Sequence, residues 1–187
     1  MFMKKFQLIT SIIAVVFMLT KAVGNSYAYG EAGASAELQS TINVEESDQR
    51  AKVLRNFLLQ YDSPLAGSAE DFVKYADKYQ LDWKLVASIA GLESTFGKHI
   101  PYNSYNGWGW GIYGDNVIRF ASWSDGIETI SKGLRERYLK DKIESDPYFI
   151  GPTYAASPTW AERVSFFMVK MEEYRIRNAK STLALAL

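Results

Sequence analysis

A chain of 187 residues with 48% hydrophobic and 14% aromatic side chains has material for one packed domain and an extra segment. It holds no cysteine and a single histidine, His99, which excludes disulfides, zinc–thiolate sites, cysteine nucleophiles and histidine-rich metal sites, and makes a Ser-His-Asp triad a remote option. Formal charge is zero and no basic stripe is present, so nucleic acid is not an expected partner, and neither a metal nor a cofactor is expected.

Residues 1–28 have the layout of a secretory signal peptide. Lys4 and Lys5 form a basic start. The run 6–19 is apolar except at Gln7, Thr10 and Ser11, and Ser26-Tyr27-Ala28 offers a small-x-small cleavage site. The run is shorter than the ~20 residues a spanning helix usually needs; retention as an uncleaved membrane tether is the other reading. Either way the body of the protein is expected outside the cytoplasm, secreted or held at the cell envelope. Cleavage would remove three lysines and no acid, leaving 18 basic and 21 acidic residues and a net charge of −3. A cysteine-free exported chain suits a bacterial envelope better than a disulfide-stapled module.

Residues 29–46 are small and polar and read as a flexible linker. A folded domain is expected over 47–180, followed by a tail, 181–187. Ser47 or Asp48 can cap a first helix with Leu54, Phe57, Leu58 and Tyr61 on its apolar positions; Ser63-Pro64 and Ala66-Gly67 break it. Ser68 with Asp71 forms a capping-box pattern for a second helix over 69–79. Asp82 is placed to cap a third, over 83–96, and Gly97 to stop it. Helical periodicity is then lost until Ser122, and NVIRFASW (116–123) reads as a short strand. A fourth helix begins near Ser124 with Ile127, Ile130, Leu134 and Tyr138 on one face, and Arg135, Arg137 and Lys140 suit its negative end. Residues 146–158 read as irregular. Thr159 and Glu162 open a long last helix containing Trp160, Val164, Phe167, Met168, Met171 and Tyr174. The pattern predicts a mainly α domain of about five helices, with a small irregular or β-containing lobe inserted after the third.

The third helix carries an acid where none is needed for packing. At about 100° per residue, Leu85, Val86, Ile89, Leu92 and Phe96 form an apolar stripe, and Glu93 lies within it. Burial and the negative helix end both disfavour a carboxylate charge, and a carboxyl that keeps its proton is what a general acid needs. The plain alternative is a pairing with Arg119 or Arg163. Behind Glu93, the 22 residues 102–123 hold seven aromatics, Tyr102, Tyr105, Trp108, Trp110, Tyr113, Phe120 and Trp123, with Asn103, Asn106 and Asn116 among them. Flat rings cover the C–H face of a pyranose, and amides hydrogen-bond hydroxyl and N-acetyl groups. Tyr113, Phe120 and Trp123 fit the lobe's own core; Trp108 and Trp110 fit either role.

These residues carry a resemblance. Leu92-Glu93-Ser94-x-Phe96-Gly97 resembles the glutamate motif of lysozyme-like peptidoglycan-cleaving enzymes. Asn106-x-x-Gly109-Trp110-Gly111-Ile112, Phe120-x-x-Trp123-x-x-Gly126-Ile127 and Tyr154-Ala155-x-x-Pro158-x-Trp160 are similar, in the same order, to later motifs of the bacterial peptidoglycan glucosaminidases. The Gly-Trp-Gly run and Ala156-Ser157, where that family tends to have Thr-Asp, depart from it. The resemblance implies a lysozyme-like α fold with a cleft, and cleavage of β-1,4 bonds in peptidoglycan by a monomer. It implies Glu93 as general acid and Tyr154 as a hydroxyl lining the site, with Ser94, Asn103, Asn106, Trp108, Trp110 and Tyr113 as substrate-binding candidates. Asp115 is the best candidate for a second carboxylate; failing one, the substrate's N-acetyl carbonyl can assist. Hydrolysis, lytic transglycosylation and a catalytically silent glycan-binding module all remain open on the sequence alone.

Overall fold

The computed structural model describes residues 39, 41, 49–111 and 116–185, with side chains as far as 179. The expected signal peptide, all but two residues of the expected linker, Tyr113 and Asp115 lie outside the described residues. The chain divides after Glu46 into two units, and the helices described below from residue 49 onward all belong to the second, Ser47–Leu187.

The described residues are mainly helical. Helix α1 covers 49–59 and buries Ala51, Leu54, Phe57 and Leu58. Ser63 then caps a 3-10 turn, Pro64–Ser68, accepting the Leu65 N–H at 3.1 Å. The turn runs straight into α2, Ala69–Lys78. This explains why Ser68 makes no side-chain cap, contrary to its capping-box pattern: the preceding 3-10 turn already leads the backbone into the helix. Helix α3, Leu85–Ser94, is shorter than its apolar pattern at both ends. Asp82 accepts the Lys84 N–H at 2.8 Å and shapes the turn before it. Helix α4, Trp123–Gly133, is capped by Ser122, whose Oγ accepts the Asp125 N–H at 3.1 Å. It widens without a break into a π-helical segment, Leu134–Leu139. Helix α5, Pro147–Tyr154, and helix α6, Trp160–Leu185, complete the unit.

Three expectations are corrected. The stretch after Asp146 is not irregular but begins with α5. Asp146 accepts the Tyr148 N–H at 2.9 Å as N-cap, and Pro147 takes the first helical position, where its missing N–H is no loss. The strand expected over 116–123 is also absent: among the described residues only Asn116 makes a bridge, and no strand forms. The tail expected after 180 continues α6 as far as Leu185.

Helix α3 is the central element. It packs on α6, α2 and α4, and every residue from Leu85 to Gly91 is buried. A helix that is apolar all round belongs inside a core. Phe57, Phe72, Phe96, Trp108, Ile127, Ile130, Leu134, Ile150, Trp160 and Val164 close around it. Each such large side chain contributes about 1.5–3 kcal/mol through burial.

Candidate functional site

The C-terminal end of α3 is where the buried helix meets solvent. The chain leaves it through three consecutive residues with left-handed backbone, Thr95 (φ 53°), Phe96 (φ 56°) and Gly97 (φ 83°). Two of the three carry side chains that disfavour this region, and the turn is held from several sides. The Phe96 N–H reaches back to the Ala90 carbonyl at 3.0 Å. Its carbonyl accepts the Ser63 hydroxyl at 2.7 Å. Its ring lies over Gly91, where a Cβ would come within 2.6 Å, and packs on Tyr61 and Phe167 at centroid distances of 4.6 and 5.1 Å.

Glu93 sits just before this turn and is exposed, not buried as its place in the stripe predicts. The reason is that α3 is buried on every side only from Leu85 to Gly91; in its last turn burial becomes one-sided, with Ser94 inside, Leu92 half-buried and Glu93 on the open side. The carboxylate is nevertheless oriented. Its Oε1 accepts the indole N–H of buried Trp160 at 2.8 Å. Its Oε2 lies 3.6 Å from where a Cβ on Gly109 would stand, and Gly109 has φ +64°, so loop backbone approaches the acid at a position glycine alone fills without strain. Among the described residues Glu93 makes no ion pair: Arg119 donates instead to the Tyr102 carbonyl, and Arg163 lines a cavity beside α3 and α6.

Trp160 also stacks on Tyr154, with centroids 4.7 Å apart and planes at 30°. The Tyr154 hydroxyl donates to the Trp108 carbonyl at 2.9 Å. Burial pushes its phenol well above the ordinary tyrosine value, and the nearby Glu93 carboxylate and Tyr138 add to the rise. Trp110 and Tyr138 pack on the same ring, at 6.0 and 5.6 Å. An exposed acid is thus held by an indole, which leads into a cluster of four aromatic rings drawn from the loop, the π-helical segment, α5 and α6.

The other residues nominated by the sequence divide by what their polar atoms do. Trp108 is fully buried; its indole donates to the Val86 carbonyl at 2.9 Å, and its ring fills the space over Gly126, where a Cβ would meet it at 2.7 Å. Asn106 is buried and its amide is used inside the loop, donating to the Trp110 and Ile118 carbonyls (2.8 and 3.0 Å) and accepting the Trp110 N–H (3.1 Å). The Ser94 hydroxyl is buried between Gly107 O at 2.7 Å and Ala90 O at 3.0 Å and accepts the Gly97 N–H. The sequence suggests these three as ligand contacts; the observed bonds of Trp108 and Ser94 join the loop to α3, and those of Asn106 hold the loop itself. Asn103 is exposed with φ 50°, and Trp110 is half-buried. Asp125 and Glu128 serve helix α4 and its surroundings: Asp125 accepts the Ala121 N–H, and Glu128 pairs with Lys78 at 2.5 Å. Periodicity marks Trp160 and Tyr138 as packing positions only, although Trp160 lies within one of the four motifs.

No protein-family model matches this chain, and no curated protein matches it.

Proposed function

We propose that this protein cleaves β-1,4 glycosidic bonds of peptidoglycan strands, with Glu93 as the general acid. The observation that carries the reading is the solvent-facing Glu93 carboxylate held by the Trp160 indole at the edge of an aromatic cluster. An acid fixed in one orientation can deliver a proton to a leaving glycosidic oxygen, and the rings beside it suit the C–H faces of sugars. Departure of the leaving group gives an oxocarbenium-like transition state. Tyr154 donates its proton to the Trp108 carbonyl and supports the site through its ring, stacked on the Trp160 indole that holds Glu93. The lysozyme-like architecture and the glucosaminidase motif order belong to the same proposal.

Lytic transglycosylation is a second reading on the same acid. Asp125 and Glu128, the acids that follow the loop, are engaged elsewhere, and Asp115 lies outside the described residues. Assistance by the substrate's N-acetyl carbonyl suits that arrangement, and attack by the sugar's own 6-hydroxyl would then leave 1,6-anhydro ends.

The test uses purified sacculi. Glu93→Gln keeps the size of the side chain and removes the acid; lysis is expected to fall by at least ~100-fold. Undiminished lysis sinks the general-acid assignment. Binding without lysis in the wild type would instead mark a silent glycan-binding module. Mass spectrometry of the fragments separates hydrolysis, which leaves reducing ends, from transglycosylation.

A further inference from the structure

A cavity of about 550 Å³ lies between Trp110, the end of α2 and the outer face of α4; Tyr154, which packs on the same indole, does not line it. Its charges are of both signs, and most are already matched. Lys78 and Glu128 pair at 2.5 Å, with the Tyr79 hydroxyl adding a bond to Glu128 at 3.2 Å. Their mutual bond raises the lysine pKa and lowers that of the glutamate, so both stay ionised over the neutral range. Lys132 stands 4.0 Å from Glu136, and Asp125 is bonded to the Ala121 N–H.

Arg137 differs. Its guanidinium lies over the Trp110 ring, 5.7 Å from the centroid, and among the described residues it has no carboxylate partner. The wide turn of the π-helical segment brings Arg137 and Tyr138, consecutive in sequence, against the same indole. Such segments are uncommon and recur at functional positions. Gly133 lets that indole lie close to α4, since a Cβ there would meet it at 2.6 Å. A guanidinium in cation–π contact with a ring spends none of its N–H groups on that contact, and those match a carboxylate two at a time.

We infer that this groove binds a carboxylate-bearing substituent of the glycan strand, with Arg137 as its receptor and Trp110 as the wall shared with the Glu93 site. The inference rests on the function proposed above and adds what that function does not require: recognition of an acidic appendage beside the sugar chain. On peptidoglycan the carboxylate has two sources, the lactyl group of a strand stripped of peptide and the carboxylates of the peptide itself.

The test is binding by the full chain carrying Glu93→Gln, measured by calorimetry with three probes: a neutral chito-oligosaccharide, a peptide-free glycan fragment with free lactyl groups, and a disaccharide-peptide. Arg137 is exposed, so its replacement leaves the fold intact. Arg137→Gln is expected to lower affinity for an acidic probe by about tenfold relative to the neutral one, with Arg137→Lys restoring part of it. Whichever acidic probe responds identifies the source. An unchanged acidic-to-neutral ratio overturns the assignment, as does a wild-type groove that prefers the neutral probe. Cleavage of sacculi with no Arg137 dependence in binding would leave the enzyme reading standing and remove this one. Arg137-dependent binding without cleavage would do the reverse. Failure of every probe to bind removes the Arg137 assignment, and the sacculus assay then decides the enzyme reading by itself.

Discussion

The bond between Trp160 and Glu93 is the contact on which the proposed chemistry depends, and Trp160→Phe isolates it. Phenylalanine keeps a flat ring to stack on Tyr154 but removes the indole N–H that Glu93 accepts at 2.8 Å. A hydrogen bond to a charged group is worth about 1.5–3 kcal/mol when both partners are withdrawn from water. Here the donor is 2% exposed while the acceptor residue is open to solvent, which will replace part of what is lost, so about 1 kcal/mol is the figure to expect. The smaller ring also vacates space beside Gly151, where the indole edge lies 3.3 Å from a would-be Cβ, and this adds a packing cost of about 1–3 kcal/mol. A double-mutant cycle with Glu93→Ala separates the two. The packing cost appears in both arms and cancels; the bond appears as a coupling of about 1 kcal/mol in urea unfolding. On sacculi, at a temperature well below the variant's midpoint, the freed carboxylate should cost about five- to tenfold in rate. A coupling below about 0.3 kcal/mol, within the scatter of independent sites, would refute the claim that the indole holds the acid. Coupling without any loss of rate would keep the bond and discard its role.

The neighbouring contacts lead to three further outcomes. Asn106→Ala strips the Trp110 and Ile118 carbonyls and the Trp110 N–H of their partner and should destabilise the unit by about 3 kcal/mol, read as a lowered denaturant midpoint. Gly133→Ala gains up to about 1 kcal/mol of helix propensity but drives a methyl into Trp110; a net loss of about 1 kcal/mol with altered near-UV circular dichroism is expected, and net stabilisation would show that the indole does not lie there. Tyr154 has a folded pKa raised above the ordinary value near 10, chiefly by burial, so the folded state holds that proton after the unfolded chain has released it. Its stabilising effect is therefore complete below about pH 10 and is lost above it, at up to about 1.4 kcal/mol per pH unit. Tyr154→Phe lowers stability at neutral pH through the lost bond to Trp108, yet its thermal midpoint should fall less steeply than the wild type's between about pH 10 and 11.

The helices are legible where periodicity and end signals agree. The fourth is the clearest case: Ile127, Ile130 and Leu134 are all fully buried, as their spacing predicts. Helix α5 is hidden because Asp146-Pro147 and Pro152 read as breakers. At a helix start the first pair is a cap and a first residue, and in a helix of eight residues an interior proline has few bonds to disturb. The lobe misleads for a different reason. Residues 116–123 carry strand-favouring side chains at Val117, Ile118 and Phe120, but a strand needs a partner, and the Asn106 amide takes the Ile118 carbonyl that a partner would have used.

Glu93 shows how an acid can be nominated for a reason that does not survive and still remain the best candidate. The helical wheel measures burial around an axis, and α3 is buried on all sides for seven residues before it surfaces. What distinguishes Glu93 is therefore its position on the open side of the last turn of α3, two residues before a left-handed turn that Ser63, Gly91 and Phe167 hold in place. That turn swings the chain away and leaves the carboxylate facing outward. Its orientation then comes from Trp160, 67 residues further along, in the first turn of α6. Sequence can mark both residues, one as an acid beside a glycine-rich aromatic loop and the other as an aromatic at a helix start. Their pairing is a property of how α6 lies on α3, and local patterning carries no record of that distance. The aromatic loop, by contrast, is fixed to α3 by the Trp108 indole and by the Ser94 hydroxyl of the helix, and is held in shape by Asn106, while Trp110 packs on the Tyr154 cluster and lines the groove of Arg137. If the site binds a glycan, Trp110 is where specificity for the strand and specificity for its acidic appendage meet, and a single substitution there should weaken both.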